Sequence, residues 1–117
     1  MIFGNDIKKI EKLSAKGQTE KILPFLQSAK KETRIAAIKA LNGEQGELVC
    51  NALVSCLATD DVETRLLVAE AIGKCGVRTA IAALEEALKK ETSMTVNSVM
   101  KTAISRLRTL PEGVKVL

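Results

Sequence analysis

Residues 57–73 read Leu57-Ala58-Thr59-Asp60-Asp61-Val62-Glu63-Thr64-Arg65-Leu66-Leu67-Val68-Ala69-Glu70-Ala71-Ile72-Gly73. Asp60 is a helix-start residue, with Glu63 three positions on as its capping-box partner. A shift of 31 residues lays Glu32-Thr33-Arg34 on Glu63-Thr64-Arg65, Ala40-Leu41 on Ala71-Ile72, and Ala52-Leu53 on Ala83-Leu84. Ile22, Leu53 and Leu84 fall on one another in the same register, as do Leu26, Leu57 and Leu88. Charged, small and apolar positions agree, so the chain is a tandem repeat.

Outward from that stretch, each unit holds two helical patterns. Asn5-Asp6, Thr19-Glu20 and Asp60 mark starts, and Gly17, Asn42-Gly43 and Gly76 mark stops. Helices are predicted near 5–16, 18–29, 31–42, 46–58, 62–74, 78–90 and 93–109. Apolar residues recur at helical spacing in all of them, for example Ile35, Ile38 and Leu41, and no segment alternates with period two. Pro24, a turn inside the second helix, is expected to kink it by removing a backbone donor. Gly43 and Gly46, and Gly73 and Gly76, read as turn residues without the flanking strand of a phosphate-binding loop. Short turns force antiparallel neighbours, and repeated helix pairs stack into a solenoid. The expected division of this single domain is an N-terminal helix (1–17), units at 18–45, 46–77 and 78–109, the last acting as a C-terminal cap, and a tail at 110–117.

Composition narrows the chemistry. A chain of 117 residues with 46% hydrophobic content suits one small packed domain. Histidine is absent, so the chain alone builds no His triad, His-ligated metal site or His general base. Phe3 and Phe25 are the sole aromatics, which leaves no stacking platform for single-stranded nucleic acid. Cys50, Cys56 and Cys75 are odd in number and lack metal-ligand spacing, and they read as reduced thiols of a cytoplasmic protein. Cys75, inside Gly73-Lys74-Cys75-Gly76, is expected to be the more exposed and reactive. The longest uncharged run, Leu48 to Thr59, has twelve residues. A membrane span needs about 20, and no apolar leader precedes Asp6, so neither a span nor a signal peptide is expected.

The motif at 57–73 resembles the HEAT-like repeat, and more narrowly the short type of the phycobilisome lyases. That pattern has an acidic loop, Val-Arg, paired small residues and a closing Ala-Leu-Gly. Asp61, Arg65, Ala69, Ala71 and Gly73 match it, with Thr64 and Ile72 as departures. The preceding unit matches at Arg34, Ala37, Ala40 and Leu41, while Lys30 stands where the acidic residue belongs. In the last unit a shift of 32 gives Val96, Met100, Ala103 and Ile104, with Asn97 in place of the arginine. The resemblance covers roughly residues 18–108. It implies an all-α fold, an α-α superhelix forming a short right-handed solenoid of about three helix pairs after an N-terminal helix.

The resemblance assigns structural work to Arg34, Asp61 and Arg65. Arg65 is expected to bond acidic or carbonyl groups of its own turn, with Asp61 as partner, and Arg34 to reach Asp61 or Asp60 of the next unit. It also puts the second helix of each pair on the concave surface. Ile35, Ala36, Leu66 and Leu67 would then face away from the core, and Glu63, Leu67, Glu70 and Lys74 would form one ridge. Leu66 and Leu67, rimmed by Glu63, Glu70, Lys39 and Lys74, would suit an amphipathic partner helix or peptide. Lys101 takes the position of Ala69, and with Ser105 and Arg108 it makes the polar outer face expected of a terminal cap.

The leading function is therefore a non-enzymatic protein-interaction module with no cofactor. Within the resembled family, hydroxylases need His, glycosylases need aromatics in a basic groove, and no residue here is assignable to the pigment chemistry of the lyases. The alternative is nucleic-acid or polyanion binding through Lys8, Lys9, Lys12 and Lys16 on the first helix. Net charge of +5 over residues 1–40, −5 over 41–72 and +4 over 73–117 interrupts any continuous basic stripe. Self-association through open solenoid ends or the tail Val114-Lys115-Val116-Leu117 stays open.

Overall fold

The computed structural model describes residues 2–111, with side chains from Asn5 onward. The described residues form α1 (Ile2–Ala15), α2 (Thr19–Ile22), a 3-10 segment (Leu23–Gln27), α3 (Lys31–Leu41), α4 (Glu47–Val54), α5 (Val62–Lys74), α6 (Ala80–Lys90) and α7 (Met94–Arg108). They build two layers in a plate of 43 × 34 × 16 Å. α1, α3, α5 and α7 lie side by side as neighbours in one layer, and α2 with the 3-10 segment, α4 and α6 make the other. α1 thus takes a second-helix position, packed against α3. This is the all-α solenoid that the repeat implies.

The repeat register is also the burial register. Ile22, Leu53 and Leu84 are buried, as are Ala37, Val68 and Met100 one position set further along, and Leu41, Ile72 and Ile104 beyond them. Each triplet stacks one unit's apolar face on the next, so no unit completes a core alone. Burying one such aliphatic side chain contributes about 1.5–3 kcal/mol.

Several boundaries differ from the sequence expectation, each for a local reason. α1 starts at Ile2, so Asn5-Asp6 lie inside it and do not start it. Pro24 does more than kink the second helix. The α-helical turn ends at Ile22 and the chain tightens into the 3-10 segment, where Pro24 needs no donor. α4 stops at Val54, short of residue 58, because its last turn tightens through Cys56 N–H to Leu53 O and Leu57 N–H to Val54 O at 2.9 and 3.1 Å. The Ser55 hydroxyl, donating to Ala52 O at 2.7 Å, holds that turn closed. Gly17, at φ 69°, ends α1 as expected, with Gln18 N–H bonding Leu13 O across a Schellman turn.

Gly73 is not a turn residue. It sits inside α5, buried, where a Cβ would lie 2.9 Å from both Cα and Cβ of Ala103 on α7. Only glycine lets the two helices approach this closely, and α5 with α7 is the most extensive helix contact in the layer. The predicted cap face is solvent-facing: Lys101, Ser105 and Arg108 are exposed, while Ala69, the counterpart of Lys101, is fully buried. The tail Val114–Leu117 lies outside the described residues.

Candidate functional site

The loops that lead into α3, α5 and α7 end on Lys30, Asp61 and Ser93, all extended. Asp61, not Asp60, caps α5: its Oδ2 accepts from Thr64 N–H at 3.0 Å and also from the Thr64 hydroxyl. Glu63 does not close a capping box. It turns outward to Lys31 at 3.2 Å, and the same Lys31 ammonium donates to Asp61 Oδ1 at 3.0 Å. The Thr64 and Lys31 contacts hold the Asp61 carboxyl down at about 2, and Asp61 and Glu63 raise the Lys31 ammonium in turn. Ser93 caps α7 through Val96 N–H at 3.3 Å.

Arg65 does not pair with Asp61, whose carboxylate is committed to Thr64 and Lys31. Its Nε and Nη2 bond the two oxygens of Glu91 in the next unit, at 2.8 and 3.0 Å, and its Nη1 donates to Thr59 O at 2.8 Å. The Glu91 side chain is only 2% exposed and also accepts from Ser93 N–H at 3.0 Å. Arg65 therefore lowers the Glu91 carboxyl below its ordinary value. Arg34 repeats half of this arrangement. Its Nη1 donates to Ser28 O at 2.9 Å, the counterpart of Thr59 O, rather than to Asp60 or Asp61. Glu91 escaped the sequence reading, although it falls on Asp60 in the 31-residue register and was open to discovery there.

On the second-helix layer, the charged ridge residues are engaged by Lys31 and Asn42 of the neighbouring unit. Leu66 and Leu67 are half-buried and pack against the core, as does Ala36, so none of the three faces fully away from it. Glu70 Oε1 accepts from Asn42 Nδ2 at 2.9 Å, and Lys74 Nζ donates to Asn42 Oδ1 at 3.0 Å, so Asn42 ties α3 to α5. Lys39 stays exposed. Shallow grooves run between successive helices of this layer. Ile7, Ala36 and Ala40 line the one between α1 and α3, Ile35 and Ala36 the next, and Val99 and Ala103 the last. Lys39, Glu63, Glu70, Lys74 and Arg106 edge them.

Elsewhere, Lys8, Lys9, Lys12 and Lys16 are exposed along α1. Cys75 corrects the expectation of an exposed thiol: it is 0% exposed, because the chain folds its turn under the start of α4, with Gly46 N–H on Cys75 O at 3.1 Å. Cys50 is buried too, and its hydrogen bond to Cys75 together with burial pushes its thiol up. Among the described residues, no His/Cys/Asp/Glu cluster could hold a metal ion, and no helix is long and apolar enough to cross a membrane.

Comparison with known proteins gives one match. No curated protein and no solved structure matches the chain. The family model described as HEAT repeats matches residues 19–108, which spans every unit from α2 to the end of α7. With the stacked helix pairs and the register of buried triplets, that match shows that this chain belongs to the HEAT-repeat family.

Proposed function

We propose that the protein is a non-enzymatic interaction module that receives an amphipathic helix or peptide on its second-helix layer. HEAT repeats generally serve as protein-interaction scaffolds, and this reading gives that role a place on this chain. The observation that carries it is the row of grooves between α1, α3, α5 and α7, floored by aliphatic side chains and edged by charges of both signs. Leu66 and Leu67 are half-buried on α5 in the same layer, and Asn42, bonded to Glu70 and Lys74, ties the end of α3 to that helix. A pre-ordered surface of this kind binds without spending free energy on its own ordering. Replacing Leu67 with Glu puts a charge on that layer and is expected to abolish capture of the partner while leaving helicity unchanged.

A second reading, polyanion binding, is favoured by a different observation. Lys8, Lys9, Lys12 and Lys16 are exposed on α1, the end helix of the stack. Binding by phosphate contacts would fall steeply with salt, whereas apolar groove binding would not. Cytoplasmic residence and kinship with the phycobilisome-lyase type of repeat belong to the same proposal and rest on the sequence features alone.

A further inference from the structure

The three caps differ in one respect that the repeat register isolates. Lys30, Asp61 and Ser93 hold nearly the same backbone, with φ of −95°, −81° and −78° and ψ of 122°, 112° and 124°. At α5 the cradle is filled by the Asp61 carboxylate, on Thr64 N–H and the Thr64 hydroxyl, with Lys31 as its cation. At α7 it is filled by Ser93 Oγ. At α3 the capping residue is a lysine, which has no acceptor, and its side chain makes no capping bond. Thr33 occupies the place of Thr64. It is 0% exposed, and its hydroxyl has no hydrogen-bond partner.

A buried hydroxyl without a partner is an unfavourable thing to keep. Its counterpart one unit on shows what it is shaped for, because Thr64 directs both its N–H and its hydroxyl at a carboxylate. The α3 N-terminus adds the positive end of an eleven-residue helix. Lys30 and Lys31 flank Thr33 in the sequence, with Glu32 exposed in the same first turn and the Lys31 ammonium engaged by Asp61 and Glu63.

We propose that the N-terminus of α3 binds an oxyanion from outside the unit, a carboxylate or phosphate group that takes the position Asp61 holds at α5. Thr33 N–H and the Thr33 hydroxyl are its donors, as Thr64 N–H and the Thr64 hydroxyl are for Asp61. The anion is either a free small ion or the acidic side chain of a bound peptide. The site lies at the loop edge and does not rest on the reading of the second-helix face.

The test is backbone amide NMR on the full chain, titrated separately with acetate, phosphate and an acetylated Asp-Asp peptide amide, with chloride holding ionic strength constant. Saturable shifts at Thr33 and Arg34, absent at Thr64 and Arg65 where Asp61 already fills the cradle, are expected. Lys30→Asp fills the α3 cradle from within and removes the shifts, and Thr33→Val weakens binding about tenfold. Saturation by the peptide below the free ions assigns the site to a peptide acid, and the reverse order assigns it to a free anion. Shifts that stay linear for all three probes, that appear equally at Thr64, or that persist in Lys30→Asp overturn the proposal.

Discussion

Arg65 crosses a unit boundary to Glu91, 26 residues later, and grips both carboxylate oxygens while its third nitrogen anchors the loop behind it at Thr59 O. The pair fixes the spacing between the second and third units at the edge of the stack. Because Glu91 is almost wholly enclosed, Arg65→Met leaves a carboxylate without its cation and is expected to destabilise by about 2–4 kcal/mol. Glu91→Gln leaves Arg65 able to keep Thr59 O and reach solvent, so about 1 kcal/mol is expected. Urea unfolding of the two variants checks the order.

The carboxyls of Asp61 and Glu91 both titrate below their ordinary values in the folded chain. A lowered folded value means that the unfolded chain takes up the proton first as pH falls. Their contribution is complete above the unfolded value near about pH 4 and is lost as pH drops toward the folded one. For Asp61 that value is about 2. Thermal melting followed by circular dichroism should therefore hold steady near neutrality and decline through this acid window. Asp61→Asn should flatten part of that decline, while a melt rising toward low pH would contradict the account.

Gly73→Ala is the reverse of the usual helix rule. Alanine favours a helix interior by about 1 kcal/mol over glycine. Here the new methyl would meet the Ala103 Cα at 2.9 Å, an atom fixed in the α7 backbone. The expected outcome is a net loss of about 1–3 kcal/mol. Chemical denaturation measures it, and a gain would mean that α5 and α7 have room to part.

Lys30→Asp is expected to stabilise the chain by about 1 kcal/mol, since it supplies the missing cap of α3 and a partner for the orphaned Thr33 hydroxyl. The combined Lys30→Asp, Thr33→Val chain should lose part of that gain. Equilibrium unfolding of both variants settles the sign.

Cys56 is half-buried, whereas Cys50 and Cys75 are enclosed. Alkylation of the native protein should therefore label Cys56 first and reach Cys75 only as fast as the chain opens. Rapid native labelling of Cys75, read by peptide mass, would contradict its placement.

The periodic features of this fold were legible because periodicity is written in residue types. The register that aligned Ile22, Leu53 and Leu84 found three fully buried positions, and Gly17 marked a helix end by its backbone. Contacts between units were less legible. Arg65 was read against the nearest acid, Asp61, because sequence shows proximity along the chain, while stacking brings Glu91 closer. Gly73 looked like a turn glycine, since a close approach to α7 leaves no mark on the local sequence. The ridge of Glu63, Glu70 and Lys74 was placed on helix spacing alone, which could not reveal that Lys31 and Asn42 engage all three.

The claim that the second-helix layer receives a partner is tested most directly by capture from native lysate. Tagged wild-type and Leu67→Glu chains, matched by circular dichroism, are compared after nuclease treatment, with the recovered proteins quantified by mass spectrometry. A stoichiometric protein that survives nuclease with the wild-type chain and is lost with Leu67→Glu is the predicted result. Equal recovery with both chains, or recovery of nuclease-sensitive material alone, would contradict it and shift the site to the lysines of α1.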